Sequence, residues 1–132
     1  MLQPTRIRRA AVGAVAAATA ATGVLAASPA PVDAAAKARV TVTIDSEGTD
    51  IFGQIRSKRR ACKADRRVLL YLQRGARGGA DDELFATDTS EVRNGVGVWE
   101  TGNLGFEGRF YAKVRGNAQC KPDASPTIRV SR

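Results

Sequence analysis

Past residue 37, apolar side chains return at every second position, and that period decides what this chain can fold into. Val40, Val42 and Ile44 face one way and Thr41 and Thr43 the other, the mark of a half-buried β-strand. The pattern comes back over residues 51–56, with Ile51 and Ile55 on one face, and over 67–74, where Val68, Leu70 and Leu72 alternate with Leu69 and Tyr71. It recurs at 84–87 and at 97–101, the latter holding Val98 and Trp99. Residues 109–115 put Phe110, Ala112 and Val114 inward and Arg109, Lys113 and Arg115 outward. Pro126 opens a last strand over 127–131, with Ile128 and Val130 inward. No segment past residue 37 keeps a helical period.

Turn residues separate these runs. Asp45-Ser46-Glu47-Gly48 reads as a turn, and Gly75-Ala76-Arg77-Gly78-Gly79 as a loop that breaks the third strand. Asn94-Gly95 is a hairpin signal, because both residues tolerate positive φ. Seven short strands punctuated in this way predict an all-β fold, a seven-stranded antiparallel β-sandwich forming a single domain over residues 37–132.

Residues 1–36 read as an address. Arg6, Arg8 and Arg9 stand before residues 10–27, which are all Ala, Val, Gly, Thr or Leu, and small residues with Pro29 and Pro31 follow. A positive start, an apolar middle and a small-residue cleavage zone make a secretory signal peptide, with a cut expected after Ala34 or Ala36. An apolar run of this length approaches a membrane span, but alanine enters lipid weakly, so cleavage is the expectation. No transmembrane segment would remain after processing. The expected location is therefore secreted and extracellular, or peripherally associated with the cell envelope. In an oxidising compartment Cys62 and Cys120, the only cysteines, are expected to form a disulfide. A small domain gains most from such a staple.

Composition excludes several chemistries. The chain has no histidine, so neither a Ser-His-Asp triad nor an imidazole acid–base pair can be built. Two cysteines fall short of the four Cys and His ligands usual in structural zinc sites. Three acids cluster in residues 45–50 and three more at Asp81-Asp82-Glu83, but neither run follows the twelve-residue calcium-loop pattern. We expect no metal, no cofactor and no enzymatic activity.

The order of elements also carries a resemblance. Phe52-Gly53-Gln54-Ile55-Arg56-Ser57, then Cys62, then Arg66-Arg67-Val68-Leu69-Leu70-Tyr71 resembles a secreted actinobacterial β-sandwich module. Thr87-Asp88, Gly97-Val98-Trp99, residues 108–114, Cys120 and residues 125–130 continue the match over nearly the whole of 37–132. Residues 89–96 depart from it, being longer than the usual short turn. The Thr-Asp and Gly-x-Trp elements are also similar to those of transthyretin-like and carboxypeptidase-regulatory-like modules. The resemblance implies a prealbumin-like or immunoglobulin-like sandwich with no shared catalytic activity, and a fold alone does not assign a function.

The densest candidate site is residues 56–67, in which seven of twelve side chains are basic and only Asp65 offsets them. Arg56, Lys58, Arg59, Arg60, Lys63, Arg66 and Arg67, with Lys121 drawn in beside Cys120, would concentrate polyanions such as acidic envelope polymer. The bland alternative is a solvated turn whose charges keep a sheet edge from pairing with a neighbour. Specific nucleic-acid binding is not expected, because base stacking needs exposed aromatics beside the cations, and most of the seven aromatics fall at packing positions. A competing class is an extracellular protein–protein module or small secreted inhibitor. It would bind through end loops, with residues 75–79 and 102–108 as candidates. Trp99 is expected in the core against the disulfide region; an exposed ring would instead grip a sugar face or a protein.

Overall fold

The alternating residues pair in space as two facing sheets. The structure, a computed structural model, describes residues 36–132; the expected leader, up to residue 35, lies outside the described residues. Its strands are β1 Thr41–Val42, β2 Asp45–Glu47, β3 Asp50–Arg56, β4 Arg67–Leu72, β5 Glu83–Thr89, β6 Glu91–Arg93, β7 Val96–Asn103, β8 Gly108–Val114, β9 Asp123–Ala124 and β10 Ile128–Val130. A single 3-10 turn, Arg60–Cys62, joins β3 to β4. The first sheet runs β1-β3-β7-β6, with β2 also on β3; the second runs β10-β8-β4-β5, with β9 also on β8. Every strand pair is antiparallel.

Ten strands stand where seven were expected, and each addition has a physical cause. The expected first strand is interrupted at Thr43, which bonds β3 through its main-chain N–H to the Gln54 carbonyl and accepts the Gln54 N–H on its hydroxyl. Asp45, Ser46 and Glu47, read above as a turn, are strand β2, opposite Phe52, Ile51 and Asp50. The turn itself is Gly48-Thr49, with Gly48 at a φ of 57°. β6 is the continuation of β5 past Ser90, where the chain leaves one sheet for the other, as sandwich corners do. β9 is too short and polar to show a pattern, and pairs with Lys113 and Val114. Asn94-Gly95 forms the β6–β7 hairpin turn with both φ values positive, 51° and 78°.

Val42, Ile51, Ile55 and Trp99 from one sheet meet Val68, Leu70, Phe110, Val114 and Val130 from the other in a continuous core. Fully burying one such side chain is worth about 1.5–3 kcal/mol. Gly53 is required in this layer, because a Cβ there would fall 2.0 Å from the Thr43 carbonyl oxygen and 2.7 Å from the Trp99 ring. Trp99 is buried as expected, 2 % exposed, and its indole N–H has no partner among the described residues.

Cys62 and Cys120 are bonded, with Cα atoms 5.5 Å apart and a sequence separation of 58. Both lie in the core cluster and both are buried. Beside the bond, the Ala38 N–H donates to the Gln119 carbonyl and the Lys121 N–H to the Ala38 carbonyl, so residues 37–39 run parallel to 119–121. Replacing both cysteines by serine should lower unfolding free energy by about 2–5 kcal/mol. Urea denaturation reads that loss, and trypsin should then cut after Lys58, Arg59 and Arg60 under native conditions.

Candidate functional site

The basic segment has to carry the chain from the end of β3 to the start of β4, crossing one end of the sandwich. Its path is fixed from inside. The Ser57 hydroxyl donates to the Arg39 carbonyl at 2.8 Å, and the 3-10 turn sets the buried Cys62 against the core. Lys63 lies so close to β7 that a Cβ on Gly97 would come 2.4 Å from the Lys63 carbonyl oxygen. That carbonyl accepts the Ser90 hydroxyl at 2.8 Å. Ser90 is fully buried, and its side-chain oxygen also accepts the Arg66 N–H at 3.0 Å. A buried hydroxyl can do both, donating once and accepting once.

These restraints divide the eight cations of the sequence reading. Lys58, Arg59, Arg60, Arg67 and Lys121 are exposed, as is Arg56, whose guanidinium rests on the Gln54 side-chain oxygen. Arg59 donates to the Gln119 carbonyl at 3.1 Å, and the half-buried Lys63 donates its ammonium to the Gly95 carbonyl. Arg66 is not on this surface. It is 6 % exposed, and its guanidinium donates inward to the carbonyls of Cys62 and Arg115. Burial pushes its pKa down, but a guanidinium stays charged, and the two carbonyls hold that charge. Its role is to tie β8 to the crossover.

Pairing brings in cations that the linear sequence does not group with this segment. Lys37 and Arg39, both exposed, flank Ala38 beside Cys120. Arg115 follows β8 and shares with Arg67, Leu69 and Asn117 a shallow depression on the second sheet. Arg39, Arg56 and Lys58, with Ala38, Thr41 and Ser57, line an open groove of about 400 Å³ at the edge of the first sheet. Arg115 stands five residues before Cys120, a spacing that the sequence showed; nothing in the sequence placed Lys37 and Arg39.

The two loops proposed above as protein contacts differ. Residues 75–79 fold over the outer face of the second sheet, where Tyr71 and Tyr111 stack at 5.4 Å with their planes 13° apart. The Tyr111 hydroxyl donates to Asp82, which also accepts the Gly78 N–H at 2.8 Å. Arg77 donates to the Ser125 carbonyl. Residues 102–108, in contrast, hold Phe106 outward at 40 % exposure against the half-buried Phe85, while Leu84, 52 % exposed, pairs with Tyr71 on the outer face of the second sheet.

No family model matches the chain, and no curated protein matches it either.

Arg66→Met should destabilise the fold by about 1–3 kcal/mol, because the Cys62 and Arg115 carbonyls lose their donor inside the protein. Lys58→Gln should change stability by under about 0.5 kcal/mol; parallel urea titrations compare the two. The Tyr111–Asp82 contact has its own signature. Burial, then the hydrogen bond to Asp82, pushes the Tyr111 pKa up to about 12, while the same bond holds the Asp82 carboxyl below its usual range. The Tyr111 contribution is therefore complete below the unfolded tyrosine pKa of about 10 and is lost as pH rises through its folded value. The Asp82 contribution is present above the unfolded carboxyl value and is lost as pH falls through the folded one. In an ultraviolet pH titration, Asp82→Asn should bring the Tyr111 ionisation down from about 12, yet leave it above about 10, since burial persists.

Proposed function

We propose that this chain is a non-catalytic β-sandwich module, exported by cleavage of its leader and released or held at the cell envelope, where its cationic end contacts acidic polymer. The finer fold is that of an immunoglobulin-like or prealbumin-like sandwich, as the sequence resemblance implies. The observation that carries this reading is the gathering of exposed cations at the disulfide-bonded end of the sandwich, with Arg39, Arg56 and Lys58 around an open groove. A disulfide is compatible with an oxidising compartment. Among the described residues no helix is long and apolar enough to cross a membrane.

The mechanism is electrostatic display. A rigid sandwich holds Lys58, Arg59, Arg60, Arg67 and Lys121 in fixed places, and the only two ion pairs among the described residues, Arg74–Glu83 and Arg93–Glu91, leave these cations free. A flexible polyanion loses little by adapting to such an end, and binding releases its counterions. Arg66 takes no part, because its guanidinium is committed inside.

One observation favours a second reading, an extracellular protein-binding module or small inhibitor. Phe106 on the loop over residues 102–108 is left 40 % exposed against Phe85, where an apolar side chain of a partner would cover it. Salt separates the two classes, since charge contacts are screened and apolar ones are not.

The test is retention of the oxidised chain on washed envelopes of the producing cell across a salt series. Retention should fall at least about tenfold between about 0.05 and 0.5 M salt. A Lys58→Gln, Arg59→Gln, Arg60→Gln variant of unchanged stability should be lost at all salt levels. Equal retention of both proteins at high salt would overturn the polymer reading in favour of an apolar contact at Phe106.

A further inference from the structure

The outer face of the first sheet is the chemical opposite of the cationic end. Asp45 and Glu47 on β2, Asp50 on β3 and Glu100 on β7 are all exposed. Glu47 stands directly opposite Asp50, Asp45 opposite Phe52, and Phe52 opposite Glu100. Residues paired in this way share one face of a sheet, so four carboxylates surround one aromatic ring. None of the four has an ion-pair partner among the described residues. Phe52 itself is 38 % exposed, on a surface that continues along Gln54 and Val98 to Arg93, whose guanidinium is paired with Glu91.

Like charges set opposite each other weaken a sheet, and a phenylalanine left 38 % exposed forgoes part of what its burial would contribute. The arrangement becomes favourable when a cationic surface covers it. The same chain displays such a surface in Lys58, Arg59 and Arg60. It cannot reach its own acidic face, however, because Phe52, with Asp45 and Glu100 beside it, stands four residues before Arg56, about 13 Å by strand rise, and the segment runs on from Arg56 across the end of the sandwich. The contact has to be made between molecules.

We infer that the Phe52 face of one protomer receives the Lys58–Arg60 segment of a second copy. The two surfaces differ, so the contact is head-to-tail, and the pair keeps one free acidic face on one protomer and one free cationic end on the other. Such a contact does not close on itself and builds short chains. It is separate from the polymer reading, which needs the cationic end alone.

The test is the weight-average mass of the oxidised full chain by light scattering, across protein concentration and salt. At about 0.02 M salt the mass should rise with concentration to at least about twice that of the protomer, and it should return to the protomer at about 0.3 M. An acid-face variant (Glu47→Gln, Asp50→Asn, Glu100→Gln) and a cationic-end variant (Lys58→Gln, Arg59→Gln, Arg60→Gln) should each stay monomeric alone. Mixed in equal amounts they should form one-to-one pairs that grow no further, because each brings the surface that the other lacks. Phe52→Ser keeps every charge and should weaken association at least about threefold. A wild-type chain that is monomeric at low salt would overturn the inference, as would an acid-face variant that still associates or a mixture that does not pair. Polylysine binding to the Phe52 face of a chain that remains monomeric would likewise overturn it, by assigning the face to a different cationic partner. The envelope-retention assay keeps the two readings apart, because the acid-face variant should still be retained.

Discussion

Residues 57–66 cross the end of the sandwich carrying five cations against one acid, and the Cys62–Cys120 bond is what holds them there. Mutual repulsion alone would splay this crossover into water. The covalent link fixes its middle against the core, and the chain-entropy model credits a loop of this size with about 4 kcal/mol. Other contacts gather around that bond. Residues 37–39 lie beside 119–121, Arg66 turns inward to the Cys62 and Arg115 carbonyls, and Ser90 fastens the Lys63 carbonyl at the point where β5 becomes β6.

The result is a molecule whose charges are sorted rather than paired. Surface ion pairs contribute little to stability, and the two present here join exposed side chains. Two groups of the remaining charges stand apart, the exposed cations at the disulfide end and the carboxylates around Phe52. Sorting of this kind costs stability through like-charge proximity, so it is informative about binding more than about folding. The cationic end suits an anionic polymer. The acidic face suits a cationic surface, of which the chain itself offers one.

Much of the fold was legible in the residues. Period-two alternation placed a strand at each of the seven expected segments, and Asn94-Gly95 marked its hairpin, because both signals are local. The three additional strands were hidden for equally local reasons. Asp45-Ser46-Glu47 has turn-forming composition and became a strand only because β3 lies beside it. Asp123-Ala124 and Glu91-Val92-Arg93 are too short for any period to show. Among the site residues, the run from Arg56 to Arg67 could be read directly, but Arg66 could not be told from its neighbours. Its burial depends on Ser90 and on the Arg115 carbonyl, which are distant in sequence.

Local patterns were enough to make the chain all-β and one segment strongly basic, and a count of two cysteines left each a single possible partner within the chain. Those properties follow from composition and from patterns spanning a few residues. Only the folded chain turns Arg66 inward, brings Lys37 and Arg39 beside Cys120, and gathers Asp45, Glu47, Asp50 and Glu100 around Phe52. The physical reason is strand pairing. Register across a sheet sets which side chains stand together, and it arises from contacts among residues far apart along the chain.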